Sequence, residues 1–338
     1  MSETVVCVTG AGGPAGFNCI RSLRESEIDP KIVALDMDGL AAGLFHGADA
    51  SYVVPPARDE GFVLTLCRII EREEVDVLIP TVDEEIRALC IGHNLERIGE
   101  TASFLLPDQD TASKALDKSE TLLACEAEGL PIPETAVATD IGGAAARADD
   151  LGYPVVVKPS GSRGARGVSL VEGEGDLEAA FRGAEAEGGR TLIQEYVPGP
   201  VYTVGTVLDR SSEVAASIVL RKVKQVPPMG GVAVAGKTVQ DPEMMELGER
   251  YVSCLGWVGP ASPEIKRDER DGSLKLMEVN PRLFGYNYLA TAAGMNLSEI
   301  TVRLALGEKL EPTREYREGL CFVRTPFDIL VDDEVCDR

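Results

Sequence analysis

The chain has few of the residues on which several large classes of protein depend. It contains only two histidines, and none of its eight cysteines forms a C-x-x-C pair, so a zinc site is not expected. No apolar run approaches the length that spans a membrane, and the N-terminus lacks the basic start of a signal peptide. We therefore expect a cytoplasmic protein whose cysteine thiols are reduced.

Lysine is scarce and acid is abundant. The chain has 33 basic residues, of which ten are lysine, against 56 acidic residues, and its net charge is −23. A chain this acidic repels nucleic acid and anionic membranes, so neither is expected as a partner. The excess of acid with little lysine is typical of a halophilic protein, and this says nothing of the chemistry. A site for an anionic nucleotide would need basic residues concentrated locally.

Strand and helix patterns alternate over the first hundred residues, each with its own apolar period. In chain order the predicted elements are strand 4–9, helix 15–27, strand Lys31–Asp36, helix Gly61–Arg72, strand Val75–Pro80 and helix Glu84–Ile98. This alternation predicts a parallel sheet covered by helices.

The remainder of the chain, from Pro107 onward, mixes helices with strands that pair locally. Asp271-Gly272 lies between the apolar runs Pro263–Arg267 and Leu274–Val279, which is the pattern of a β-hairpin. The other predicted helices are Asp110–Gly129, Asp176–Glu187, Pro242–Leu255 and Gly294–Leu306, and the other strands are Pro154–Lys158, Val168–Val171, Thr191–Glu195, Val201–Leu208 and Val214–Val226. The predicted fold class is α/β with mixed sheets.

The hairpin carries the first chemistry-bearing pattern, in the segment MEVNPR that ends at Arg282. Alternation along a strand puts Glu278 and Asn280 on one face, and Glu264 on the preceding strand lies opposite position 278 or 279. Adjacent carboxylates repel unless a cation neutralises them, and Mg²⁺ prefers carboxylates and nucleotide phosphates as ligands. Arg282 could then hold a phosphoryl group bidentately. A solvated hairpin with ordinary surface charges explains this pattern about as well.

A glycine-rich loop, KPSGSRGARG, follows the strand that ends at Lys158. Its glycines free backbone amides to approach an anion, and the lysine can bind a phosphate as a point charge. Further on, the strand in LIQEYVPG leaves its sheet at Pro198, where exposed backbone groups can pair with a purine edge. Each segment alone also fits a surface loop or a plain strand end.

Five segments in this order resemble the ATP-grasp superfamily: ALDKSETL, VVVKPSGSRGARGV, IQEYVPG, EIKRD and MEVNPRLFG. Within it the chain looks most like the carbamoyl phosphate synthase large chain and the small carboxylate–amine ligases. The resemblance covers nearly the whole chain. It implies a Rossmann-like pre-ATP-grasp domain at 1–108, a two-lobed α+β ATP-grasp domain at 109–310 with a lid subdomain at about 118–195, and a tail at 311–338 that packs on the core.

The resemblance also implies a role for each segment. The two lysines would hold the phosphates of ATP, the loop 160–167 would close over them as a lid, and the backbone after the strand in IQEYVPG would meet the adenine. The hairpin would hold two Mg²⁺ ions, or Mn²⁺ in their place. The implied cofactor-binding residues are Lys118, Lys158, Ser160, Gly161, Gly164, Gly167, Glu195 and Val197, the implied metal ligands are Glu264, Glu278 and Asn280, and the implied catalytic residues are Arg282 and Lys158.

One position departs from the family. In the segment after IQEYVPG the family usually has an acid that holds the ribose hydroxyls, and Val201 stands at that position here. Either the ribose is held in another way, or nucleotide affinity is reduced, or the chain is an inactive member.

Two further motifs imitate nucleotide sites. The opening stretch TVVCVTGAGGPAG, followed by Asp36, resembles a dinucleotide fingerprint, but its glycine spacing is imperfect and no hydride-transfer site follows. Gly231–Thr238 matches a P-loop formally, yet no buried strand directly precedes it and Pro242 delays the next helix. We expect neither NAD(P) at the first motif nor a P-loop at the second.

An acidic run, Asp83-Glu84-Glu85, follows the predicted strand DVLIP. Ligands bind at this edge of α/β sheets, so the run could hold a substrate ammonium group. Helix capping by Asp83 is the slightly favoured interpretation, and both can hold.

Together the residues and the resemblance predict an ATP-dependent ligase. It would activate a substrate carboxylate as an acyl phosphate, with ADP formed, and join it to an amine. The expected partners are small carboxylates and amines, amino acids among them, and the family makes a homodimer a reasonable expectation. The alternative is carbamoyl-phosphate-synthase-like activity on bicarbonate or carbamate; the alternative of another class is an NAD(P)- or nucleotide-binding protein without ligase activity.

Overall fold

The structure is a computed structural model that describes residues 3–161 and 165–331. Within these residues the strands form three sheets, of four, six and four strands. The first sheet is parallel, and the other two are antiparallel. The predicted α/β class is confirmed, with parallel and antiparallel pairing in separate sheets.

The first sheet is built from the alternating elements at the start of the chain. These are β1 (Val5–Val8), α1 (Pro14–Arg24), β2 (Lys31–Asp36), β3 (Ala50–Val53), α2 (Phe62–Glu73), β4 (Val77–Ile79), α3 (Asp83–Cys90) and α4 (Asn94–Gly99). The strand order is β3-β2-β1-β4, and every pair is parallel. The central strand β1 is buried along its whole length, as expected for a parallel sheet with both faces covered.

The second sheet is a small antiparallel sheet with two helices packed on it. Its part of the chain contains α5 (Gln109–Ala115), α6 (Lys118–Ala127), β5 (Thr135–Ala138), α7 (Ile141–Leu151), β6 (Val155–Pro159), β7 (Ser169–Val171), α8 (Glu174–Ala186) and β8 (Thr191–Glu195). The strand order is β5-β8-β6-β7. Its core lies between the sheet and helices α7 and α8, and includes the buried residues Ala144, Val157 and Phe181.

The third sheet has six antiparallel strands and carries the predicted hairpin at one edge. Its part of the chain contains β9 (Val201–Leu208), β10 (Val214–Val226), β11 (Val232–Thr238), α9 (Pro242–Cys254), β12 (Gly259–Arg267), β13 (Leu274–Asn280), α10 (Tyr288–Ala292), α11 (Leu297–Ala305) and β14 (Cys321–Val323). The strand order is β13-β12-β9-β10-β11-β14. Helix α9 packs on this sheet through fully buried side chains such as Tyr251 and Val252.

A shared hydrophobic core joins the first and third sheets. It combines Val6 of β1 and Ile20 of α1 with residues from the third sheet and its flanking segments, namely Ile218, Phe284 and Leu297. The segment between β13 and α10 therefore lies against the glycine-rich opening turn and α1. Polar contacts fix this junction, since the Asn287 side chain donates to the Ala15 carbonyl at 3.0 Å.

Two long helices predicted from the apolar period are each broken in two. The predicted helix Glu84–Ile98 divides at Gly92, which has a positive φ of 60°. The predicted helix Asp110–Gly129 divides at Asp117, whose carboxylate caps the second half by accepting from the amides of Ser119 and Glu120. The second break sets the position of Lys118 at the start of α6.

Several helices and strands were not predicted. They are β3, β5, α7, β11, α10 and β14. The P-loop-like segment forms β11, in line with our expectation that it is not a phosphate loop, and β14 from the tail pairs with it. The described cysteines are all free thiols, and no helix among the described residues is long and apolar enough to cross a bilayer.

Candidate functional site

A register shift in the hairpin brings the two predicted metal-binding carboxylates together. Ile265 pairs with Leu276, but the next pair along is Glu264 with Glu278, so Met277 is an extra residue on β13. Without this bulge, Glu264 would lie opposite position 277, and alternation would put Glu278 on the other face. The bulge therefore places both carboxylates side by side on one face of the sheet.

Lysine ammonium groups neutralise both carboxylates. Lys222 Nζ lies 2.6 Å from Glu264 Oε1, and Lys118 Nζ lies 3.7 Å from Glu278 Oε2. Burial, the largest effect, raises the pKa of Glu264, and Glu278 adds to this while Lys222 opposes it. Burial also favours the neutral form of Glu278, but the surrounding lysines outweigh it and lower the pKa of that carboxyl. The carboxylate of Glu278 is therefore ionised at neutral pH and is paired with lysine ammonium groups.

Asn280 and Arg282 continue the same cluster. The Asn280 side-chain amide lies 3.4 Å from Glu278 Oε1, and Arg282 Nη2 donates to Asn280 Oδ1 at 3.2 Å. Arg282 Nε also pairs with Asp83 Oδ1 at 2.6 Å, and this pair links the first sheet to the hairpin. Asp83 was expected to be the N-cap of α3. It is instead the first residue of that helix, and Val82, at the N-cap position, forms no side-chain capping hydrogen bond.

The two predicted phosphate-binding lysines enter from the second sheet and from α6. Lys158 is almost fully buried at the end of β6, and its Nζ donates to the carbonyl of Met277, the bulged residue, at 3.2 Å. Burial lowers the pKa of Lys158 to about 8; Glu278 opposes this shift, and Lys118 adds to it. Lys118 follows the capping residue Asp117 directly, so the helix start aims it at Glu278.

The glycine-rich loop is described on either side of residues 162–164, and the predicted site residue Gly164 lies outside the described residues. Gly161 lines the cavity described below, whereas Ser160 and Gly167 do not. The Ser160 hydroxyl donates to Asp117 at 3.1 Å, so it holds the loop against α6. On the far side, Ala165 lies against Gly230, where a Cβ would come within 3.0 Å of the alanine Cβ.

The strand end predicted to meet a purine is occupied by protein contacts on its side-chain and carbonyl groups. The Glu195 carboxylate accepts from Lys275 and lies 3.4 Å from Arg270. The Val197 carbonyl accepts from Lys266 Nζ at 2.6 Å. Lys266 was not among the predicted site residues; the lysine in EIKRD carries no signal in sequence beyond its two-residue distance from Glu264.

These groups surround one cavity of about 380 Å³. This volume is in the range of ligand pockets in proteins. Its lining combines apolar residues such as Val156, Val168 and Met277 with lysine, arginine and carboxylate side chains. The predicted residues on its wall are Lys118, Lys158, Gly161, Glu195, Val197, Glu264, Glu278, Asn280 and Arg282, and the wall also includes Asp83, Glu84, Lys266 and Val201.

In the glycine turn at the start of the chain, the carboxylate of Asp36 already accepts hydrogen bonds from backbone amides. Asp36 Oδ2 accepts from the Gly12 amide at 2.8 Å, and Oδ1 accepts from the Asp38 amide at 3.0 Å. Gly16 packs so closely that a Cβ would lie 2.3 Å from the Gly10 carbonyl. The turn is therefore tied to β2 by the acid that a dinucleotide would need for its ribose.

The carboxylate pair fits a hard divalent cation that shares its ligands with a nucleotide. Glu264 and Glu278 face each other, beside the amide of Asn280, and ammonium groups already balance their charge. Among the described residues there is no cluster of three or more histidine, cysteine, aspartate or glutamate side chains that could hold a metal ion by themselves. Mg²⁺ is commonly bound by one or two carboxylates plus substrate phosphates, which suits this donor set.

Comparison with protein families gives two matches. Residues 117–313, more than half of the chain, match the carbamoyl-phosphate synthase L chain, ATP binding domain, and residues 7–99 match the PylC-like N-terminal domain. The carbamoyl phosphate synthase large chain of Myxococcus xanthus is 26% identical over 266 residues, which cover 73% of this chain and 24% of that protein. This chain thus spans about a quarter of the length of that relative.

Solved structures share the fold. The biotin carboxylase of Campylobacter jejuni, determined with β,γ-ATP, superposes with a TM-score of 0.74 at 20% identity, covering 94% of this chain and 74% of that one. The biotin carboxylase domain dimer of Hydrogenobacter thermophilus 2-oxoglutarate carboxylase, determined with MgADP, ADP and bicarbonate, gives 0.73 at 19% identity, covering 95% and 74%. The predicted ATP-grasp resemblance is confirmed.

Replacing Asp83 with Asn should destabilise the protein, because the partly buried Arg282 guanidinium loses its charged partner. We expect a loss of about 2 kcal/mol in the free energy of unfolding, less than for a fully buried pair because both side chains keep some solvent contact. Denaturant unfolding measures it. The control Glu178→Gln breaks an exposed pair with Arg182 on α8 and should leave the midpoint unchanged. Equal midpoints for the two variants would contradict the role of this ion pair.

Proposed function

The chain belongs to the family of the carbamoyl-phosphate synthase L chain ATP-binding domain, and we propose that it is an ATP-dependent ligase. It would activate a substrate carboxylate as an acyl phosphate and join it to an amine. The observation that carries this proposal is the pair Glu264 and Glu278, opposed on one face and backed by Lys118 and Lys158 on the wall of one cavity. Such a constellation places metal-binding carboxylates next to cations that suit phosphates.

Glu264, Glu278 and Asn280 would hold Mg²⁺, and we propose two ions, with Mn²⁺ as a possible substitute. When bound, the metal supplies charge neutralisation at the phosphoryl oxygens. Lys222 and Lys118, which balance the carboxylates in the protein alone, are the groups that must yield as cations enter. The MgADP complex of the Hydrogenobacter thermophilus domain supports this assignment.

The reaction requires charge placement rather than a covalent nucleophile. The substrate carboxylate oxygen attacks the γ-phosphorus, the bond to the β-phosphate oxygen breaks, and ADP leaves. The amine then attacks the acyl carbon, phosphate leaves, and the amine proton passes to solvent. Arg282 and Lys158 are proposed to offset the charge that develops on the transferred group, and Asp83 keeps Arg282 oriented.

The second sheet is proposed to act as the lid, with loop 160–167 over the phosphates. Ala165, in the described part of this loop, lies against Gly230 in the β10–β11 turn, and both residues line the cavity, which supports this role. Such a cover would keep water from the acyl phosphate.

We also propose that the chain divides into a first domain at 1–108, an ATP-binding domain at 109–310 and a tail at 311–338. A homodimer is also proposed, supported by the dimeric neighbour.

ADP release from Mg²⁺–ATP tests the function against amino acids and small carboxylates, each with and without an amine. The assay is run in molar KCl, because a net charge of −23 favours high salt. We expect release that requires one carboxylate and one amine. Glu278→Gln should abolish it, whereas Glu269→Gln, an exposed residue at the hairpin turn, should not.

Release with bicarbonate or carbamate alone would favour the second candidate, carbamoyl-phosphate-synthase-like chemistry, to which the family match points. NADP⁺ serves as a further control. Binding of NADP⁺ without ADP release under any condition would contradict the proposed ligase activity. It would favour a dinucleotide-binding protein instead.

ATP affinity should fall as the pH rises through the pKa of Lys158, about 8. Phosphates bind the charged ammonium, which is present below that pH and is lost above it. Titration calorimetry should give a dissociation constant for ATP that is about eightfold larger at pH 9 than at pH 7.5, because the protonated fraction of Lys158 falls by that factor. Lys158→Arg, which stays charged, should remove this dependence. Equal wild-type affinities at the two pH values would contradict the assignment.

A further inference from the structure

Lys266 occupies a place on the cavity wall that the proposed function leaves unexplained. It lies two residues beyond Glu264 on β12, so both side chains are on the same face, about 7 Å apart along the strand. Glu264 marks the metal and phosphate end of the cavity. Lys266 therefore lies one step from the proposed phosphate site toward the strand end at Val197, where the family resemblance predicts the base.

The ammonium group of Lys266 is held in place and retains free donors. Its Nζ donates to the Val197 carbonyl at 2.6 Å and lies 5.3 Å from the centre of the Tyr196 ring. Among the described residues it forms no ion pair with a carboxylate; Asp268 and Glu269 act on it only from a distance. An ammonium has three N–H donors, and this one donates a single hydrogen bond to the residues that the structure describes. Two donors are available to a ligand in the cavity.

The residue that pairs with Lys266 on the neighbouring strand cannot form a side-chain hydrogen bond with a sugar. Lys266 pairs in register with Val201 on β9, and both line the cavity. A valine side chain cannot accept or donate a hydrogen bond, so Lys266 supplies the polar group of this cross-strand pair. The two adjoining pairs are Ile265 with Tyr202 and Glu264 with Thr203.

We propose that Lys266 binds the ribose of the nucleotide by donating hydrogen bonds from its ammonium group to the sugar hydroxyl oxygens. This assignment rests on the proposed function, because it needs ATP in the cavity. Its place between the lysines proposed to bind phosphate and the strand end predicted to meet the base matches the order of triphosphate, sugar and base. Lys266 is then a specificity residue that distinguishes ribonucleotides from deoxynucleotides.

Calorimetric dissociation constants for ATP, 2′-deoxy-ATP and 3′-deoxy-ATP test the proposal without relying on turnover. The wild type should prefer ATP over at least one deoxy analogue by about tenfold, the value of one hydrogen bond to a charged donor. Lys266→Met keeps the stem and removes the donors, so it should weaken ATP binding about tenfold and bring the ratio close to one. Lys266→Arg should restore part of the preference.

Lys31→Met is the charge-matched control, since Lys31, at the start of β2, pairs with Glu73 at the end of α2 and does not line the cavity. It should keep the wild-type ratio. A Lys266→Met protein that folds, by circular dichroism, and still prefers ATP would overturn the assignment, as would a wild type that binds ATP and both analogues equally. Failure of the wild type to bind ATP at all would instead refute the proposed function on which the inference rests.

Discussion

The site depends on one extra residue in a strand. Met277 interrupts the pairing of β12 with β13, and this interruption brings Glu278 opposite Glu264 on the cavity face. The bulge also frees the Met277 carbonyl, which receives Lys158 from the second sheet. A single backbone irregularity thus gathers two carboxylates and one phosphate-binding lysine. The segment that follows places Asn280 on the same face, and Arg282 reaches both Asn280 and Asp83.

The charge distribution is the second constraint. The chain is strongly acidic, yet three of its ten lysines, Lys118, Lys158 and Lys266, line one cavity, and Lys222 pairs with a carboxylate on its wall. Buried carboxylates need nearby cations, and these lysines supply them before any ligand arrives. A metal–nucleotide complex can replace these internal ion pairs without leaving a charge uncompensated. The large excess of acidic residues elsewhere in the chain disfavours anion binding there by comparison.

Much of this was readable from sequence, and the failures have physical causes. Period two correctly put Glu278 and Asn280 on one face, and Asp271-Gly272 correctly indicated the hairpin. Glu264 was expected opposite position 278 or 279 and pairs with Glu278, but nothing in the sequence marks Met277 as the extra residue that produces this register. The apolar period continued through Asp117, although an aspartate followed three residues later by Glu120 is a capping signal. Short edge strands such as β14 are defined by pairing rather than by pattern.

The most direct test of the account is whether ATP binding depends on a divalent cation held by the opposed carboxylates. Calorimetric titration of ATP into the wild type, with Mg²⁺ and with chelator, measures this dependence. The account predicts at least about tenfold tighter binding with Mg²⁺, and loss of that difference in Glu278→Gln. Equal wild-type affinities with and without Mg²⁺ would contradict the assignment of Glu264 and Glu278 as metal ligands, and with it the proposed ligase chemistry.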